Sequence, residues 1–118
     1  MDANAIHAFL RRVSLFRDLN EQEMNRLTEI VIIRTYPRKS VIFTEGSERE
    51  AFYLIREGLV KTYKTDENGH EQIVSFLKAG DLFPHTGFFS TQPYPATAEA
   101  ITEARLAAIP VRQFEQLI

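Results

Sequence analysis

Gly46, Gly58, Gly69 and Gly80 stand 12, 11 and 11 residues apart, and this spacing constrains the fold more than any other feature of the chain. From about residue 31 the apolar residues change from a helical period to alternation. VIIRTY (31–36), SVIFTE (40–45), AFYLIREG (51–58), LVKTYKTD (59–66), EQIVSFLKAG (71–80), TAEAIT (97–102) and ARLAAIP (104–110) are short runs rich in β-branched and aromatic residues. About seven or eight strands at this regular spacing predict a sandwich, a jelly roll or a barrel. Asn68-Gly69 is the clearest hairpin signal, because a type I′ turn needs positive φ at both central residues.

Helices flank the strands. Ile6, Phe9, Leu10 and Val13 recur at helical spacing and share one face. Asn20 followed by Glu23 reads as an N-cap with its capping-box acid, and Met24, Leu27, Ile30 and Val31 form the apolar stripe of that second helix. Pro110 opens a final stretch, VRQFEQLI, with Val111, Phe114 and Leu117 on one helical face. All three stripes are expected to pack on a core. At 118 residues the chain is sized for one domain.

Composition excludes several functions. The formal net charge is −2, without the clustered positive charge of a nucleic-acid-binding surface. There are no cysteines, so disulfides and Cys-ligated zinc or iron–sulfur centres are excluded within the chain. The first residues lack the apolar core of a signal peptide, and no run is long enough for a membrane span; a cytoplasmic, non-membrane protein is expected. His7, His70 and His85 stand apart without metal-ligand spacing, and no nucleophile elbow or Ser/His/acid pattern occurs. No catalytic or metal-binding residue is therefore assigned. Lys61, Tyr63 and Lys64 are read as a half-exposed strand, with Lys61 and Tyr63 on one face and Lys64 on the other.

The order of short motifs is more specific. Leu15-Phe16-Arg17-Asp18-Leu19, Val41-Ile42-Phe43-Thr44-Glu45-Gly46, the stretch Phe52 to Lys61 (FYLIREGLVK) and Gly80-Asp81-Leu82-Phe83 follow one another across nearly the whole chain. Together they resemble the N-terminal effector domain of the Crp/Fnr superfamily of bacterial transcription regulators. The resemblance implies a mainly β fold with flanking helices: the double-stranded β-helix, or jelly roll, of cyclic-nucleotide-binding domains. On that reading residues 1–118 form one effector domain. N-terminal helices occupy about 3–31, the β-roll about 32–110 and the start of a C-terminal helix 111–118. A dimerisation helix and a helix-turn-helix DNA-binding domain are expected beyond the chain, in a homodimeric whole protein.

The resemblance also says what a ligand site would contain, and here the chain departs from the pattern. Family members that bind cAMP carry a phosphate-binding cassette in which a Glu accepts from the ribose and an Arg pairs with the cyclic phosphate. Aligned from Gly80-Asp81, Pro84-His85 stand at the Gly-Glu positions; aligned back from Ala96-Thr97-Ala98, Tyr94-Pro95 stand at the Arg-Ser positions. No Lys or Arg occurs between Lys78 and Arg105. Hydrogen bonds to charged groups contribute about 1.5–3 kcal/mol each, so losing both contacts removes roughly two to four decades of affinity. A cation from elsewhere, Arg56 or Lys61, is the alternative source of charge.

The expected pocket is lined by Phe83, His85, Thr86, Gly87, Phe88, Tyr94, Ala96 and Thr97. Its occupant stays open: none, with the rings filling the cavity; an unidentified neutral or weakly anionic effector; cAMP or cGMP; or haem through His85. The expectation is a non-enzymatic sensory domain with a divergent cassette, not an ordinary cAMP binder. The alternatives are a working cAMP/cGMP receptor domain and a cupin-like metal enzyme.

Overall fold

Two four-stranded antiparallel sheets face each other in a computed structural model of the chain, which describes residues 3–84 and 92–117. Helix α1 (Ala3–Arg11), a single 3-10 turn (Ser14–Phe16) and helix α2 (Glu21–Ile30) precede the strands. The strands are β1 (Ile32–Tyr36), β2 (Val41–Phe43), β3 (Ala51–Glu57), β4 (Val60–Thr65), β5 (Glu71–Leu77), β6 (Leu82–Phe83), β7 (Thr97–Ala100) and β8 (Ala104–Pro110); helix α3 (Val111–Leu117) follows. One sheet has the order β1-β8-β3-β6, the other β2-β7-β4-β5. Consecutive strands thus cross between sheets in the manner of a jelly roll, except for β4 and β5, which form a hairpin within one sheet, and the helices pack on the other sheet.

The pattern of β3 shows why. Phe52 and Leu54 point out to Leu10, Phe16, Met24 and Leu27 of the helical layer, while Tyr53 and Ile55 point into the roll. β8 divides likewise, Ala107 and Ile109 outward and Leu106 and Ala108 inward. Strands buried on both faces read as continuous apolar runs rather than alternation, as AFYLI and LAAI do. In α2, the Asn20 side chain accepts from the Glu23 N–H at 2.8 Å and the Glu23 side chain accepts from the Asn20 N–H at 2.9 Å. This reciprocal cap fixes where α2 begins.

Two expectations change in detail. The β4–β5 hairpin closes without a type I′ turn, since Gly69 has positive φ (82°) and Asn68 does not. Asp66 organises it instead: its side chain accepts from the N–H groups of Asn68 and His70, both at 2.9 Å, an Asx-type arrangement that competes with the two-residue turn. β6 is an added strand, two residues paired to Tyr53 and Leu54, too short to show a period. Gly58 is required between β3 and β4: its φ is +98°, and a Cβ there would overlap the Glu103 carbonyl oxygen and lie 2.8 Å from Ala104 Cα.

Candidate functional site

At the mouth of the roll, next to the cassette, lies a half-open cavity of about 230 Å³. Its apolar wall is Phe43, Val74, Leu77, Phe83 and Ala96, with Pro84 and Pro95 at the two chain segments that flank residues 85–91. Its polar wall is Thr62, Lys64 and Ser75. The Thr62 and Ser75 hydroxyls are 2.6 Å apart across the paired strands β4 and β5. A shift in register between Thr62 and Tyr63 marks a bulge, a device that re-aims side chains.

The sequence-predicted pocket residues separate into three groups. Phe83 and Ala96 line the cavity. Tyr94 is buried beside it, stacked on Phe43 with ring centroids 3.9 Å apart and planes 7° apart. Its hydroxyl donates to the Ala51 carbonyl at 2.8 Å and accepts from the Ala51 and Glu50 N–H groups at 3.2 and 3.3 Å. Its own N–H donates to Ser47 O, and its carbonyl accepts from the Gly46 N–H. Thr97, also buried, accepts from the Glu45 N–H at 3.0 Å. Tyr94 and Thr97 are thus tied to the main chain of the β2–β3 segment. His85, Thr86, Gly87 and Phe88 lie outside the described residues.

Phe43, Tyr53, Phe83 and Tyr94 form one aromatic cluster. Burial, with Tyr94 and Tyr36 nearby, pushes the Tyr53 hydroxyl well above the usual phenol range, and Arg34 acts in the opposite direction. Tyr53 is therefore a neutral core residue at physiological pH.

Four cations bear on the question of charge. Arg49 sits 5.9 Å from the Tyr94 ring centroid and donates to the carbonyls of Gln92 (3.2 Å) and Pro93 (3.4 Å), holding the chain that leads into Tyr94. Arg56 lies over Phe9 at 5.9 Å, towards the helical layer. Lys61 bonds Glu71 at 3.2 Å and approaches Glu99 at 3.7 Å; the hydrogen bond to Glu71 raises its pKa. Neither Arg56 nor Lys61 lines the cavity. Lys64 does, and sequence reasoning passed over it. The signal was present: Lys64 lies on the face opposite Lys61 and Tyr63, which is the inward face.

Among the described residues no group of three or more His, Cys, Asp or Glu side chains converges as a metal site would, and no helix is long and apolar enough to cross a membrane. Two more voluminous depressions lie elsewhere on the surface. The groove of about 600 Å³ is lined by Glu48, Arg49, Glu50, Arg112 and Glu115 among others, charges of both signs that select no single ligand.

A roll of two antiparallel sheets, a helical layer on one of them and a cavity beside the β6–β7 segment is the arrangement to which known proteins can be compared. The family model described as the cyclic nucleotide-binding domain matches residues 33–118. The chain belongs to the cyclic nucleotide-binding domain family. Relatives of this domain include Crp- and Fnr-type regulators, as the motifs implied. It is 38% identical over 93 residues to an anaerobic regulatory protein of Pasteurella multocida, covering 78% of this chain and 34% of that protein. It is 37% identical over 87 residues to the cAMP-activated global transcriptional regulator CRP of Salmonella typhimurium, covering 73% of this chain and 41% of that protein. The chain thus spans 34% and 41% of the length of these two curated relatives. The fold matches the sensor domain of the transcriptional regulator DNR from Pseudomonas aeruginosa with a TM-score of 0.90 at 22% identity, over 98% of this chain and 77% of that one.

Proposed function

We propose that this cyclic nucleotide-binding-type domain is the non-catalytic sensory module of a Crp/Fnr-type transcription regulator, and that its cassette does not hold a cyclic nucleotide in the ordinary way. The observation that carries this reading is Tyr94. It stands where the resemblance places the phosphate-binding arginine, and its ring and hydroxyl are committed to Phe43 and the Ala51 main chain. A residue anchored by both its apolar and its polar end is spent on structure. Pro95 beside it has no side-chain donor, and no acidic side chain lines the described cavity to accept from a ribose hydroxyl.

On this reading the whole regulator is a homodimer that meets DNA through a separate helix-turn-helix domain, and an effector in the roll biases its DNA-binding state. That bias requires the effector to bind the two states with different affinity. An ordinary cyclic-nucleotide receptor is the second reading, favoured by the family match over residues 33–118.

Calorimetric titration of the domain with cAMP to millimolar concentration separates the two. The divergent-cassette reading expects no saturable heat. Saturation in the micromolar range overturns it in favour of the receptor.

A further inference from the structure

We infer that the cavity of the roll takes a compact organic monoanion with an apolar body, held by the ammonium of Lys64. The inference rests on the reading above that this cavity is the effector site, and it names the ligand chemistry that the site selects.

Charge comes first. Among the described residues, Lys64 is the sole ionisable side chain lining the cavity, so its charge meets no lining carboxylate. Its neighbour on the opposite face, Lys61, is by contrast engaged by Glu71 and Glu99. Arg49 is likewise spent, on the carbonyls of Gln92 and Pro93. Lys64 makes no hydrogen bond or ion pair with any described side chain, and it sits at the exposed end of the run Val60, Thr62, Lys64 that faces inward. An ammonium at the rim of an apolar cavity attracts an anion more strongly than the same group in open water.

The remaining polar groups point to a small charged head and no more. The Thr62–Ser75 hydrogen bond uses one of the two hydroxyl hydrogens, which leaves the other free to donate to an oxygen beside Lys64. One ammonium and one hydroxyl match a carboxylate. The rest of the wall is apolar, with Phe43, Leu77 and Phe83 as its large members. A volume of about 230 Å³ lies below the ≈300–1,000 Å³ of sites for drug-sized ligands, so the apolar body is short. A sugar-phosphate would bring hydroxyls for which the wall offers no carboxylate acceptor.

The probes are 4-phenylbutyrate and its uncharged counterpart 4-phenylbutanol, titrated into the 118-residue chain by calorimetry at low salt. The carboxylate is expected to bind saturably and about ten- to hundredfold tighter than the alcohol, the range for a hydrogen bond to a charged group. Lys64→Met should erase that preference. Lys64→Arg and Lys61→Met should keep it. Should Lys64→Met fail to fold by circular dichroism, Lys64→Gln asks the same question. The inference is overturned by no saturable carboxylate binding at millimolar concentration, by equal affinity for the two probes, or by an undiminished preference in Lys64→Met. A parallel cAMP titration keeps the two claims separate. Micromolar cAMP saturation sinks the divergent-cassette reading, while the probe pair decides the role of Lys64 whichever way cAMP behaves.

Discussion

Two aromatic clusters sit on opposite faces of strand β3, and they do different things. On the helical side Phe52, Phe16 and Phe114 meet edge to face, with centroids 5.2 Å (Phe52–Phe114) and 5.8 Å (Phe16–Phe114) apart. Leu10, Met24 and Leu27 close around them, all fully buried. On the roll side Phe43 stacks on Tyr94 and Tyr53 on Phe83, and the cluster leaves about 230 Å³ open beside it. Both clusters are apolar and both are built on the same strand. Both sides bury a core, and the roll side also borders the cavity beside the cassette.

Substitutions can break this contrast. The largest effect should come from Phe52→Ala, which empties the sealed cluster and should cost about 3–5 kcal/mol in denaturant unfolding. Cavity binding should be unchanged wherever the variant remains folded. A loss below 1 kcal/mol would mean the helical layer is not the sealed core described here.

Tyr94→Phe keeps the stack on Phe43 and removes only the hydroxyl. It strips the Ala51 carbonyl and N–H of that partner, with an expected destabilisation of about 1–3 kcal/mol. Because the hydroxyl is committed to the main chain, ligand affinity per folded molecule should not change. A ligand-specific loss without loss of stability would instead make Tyr94 a contact residue.

Tyr53 sharpens the comparison through pH. Its folded pKa is raised, chiefly by burial, above the ordinary phenol value of about 10. Its contribution is fully present below that value and is lost as pH rises. Between its unfolded and folded pKa values stability should fall by about 1.4 kcal/mol per pH unit. Lys61, whose pKa is raised above 10.5 by its bond to Glu71, adds in the same direction. Unfolding curves from pH 9 to 11 should show the decline, and Tyr53→Phe should flatten it. An identical slope in that variant would assign the decline to surface groups.

The smallest effect is expected at Lys61→Met on the outer face of β4, within about 1 kcal/mol, since exposed ion pairs contribute little.

The sequence displayed the helical side well. The stripes of α1 and α2, the Asn20 cap and the unbroken apolar runs of β3 and β8 follow from spacing alone, because each local choice agrees with the burial it meets. Two residues of β6 carry no period to read. The β4–β5 hairpin forms where Asn68-Gly69 signals it, but its turn is not type I′, because Asp66, two residues upstream of Asn68, offers its carboxylate to the turn and a dipeptide signal does not include it. The site was legible by subtraction: Pro84, Tyr94 and Pro95 are visible as departures from the cassette. That the Tyr94 hydroxyl turns to Ala51, some 43 residues earlier, is a tertiary fact that spacing does not contain. Lys64 was hidden for a similar reason, since alternation assigns it to a face without saying that a cavity lies there.

The most direct measurement of the central claim is an amide chemical-shift map of the ¹⁵N-labelled domain during titration with cAMP to millimolar concentration. The account predicts no saturable shifts at Thr62, Lys64, Ser75 and Ala96, the amides around the cavity. Saturable micromolar shifts centred on those residues would contradict it and restore the cavity to cyclic nucleotides.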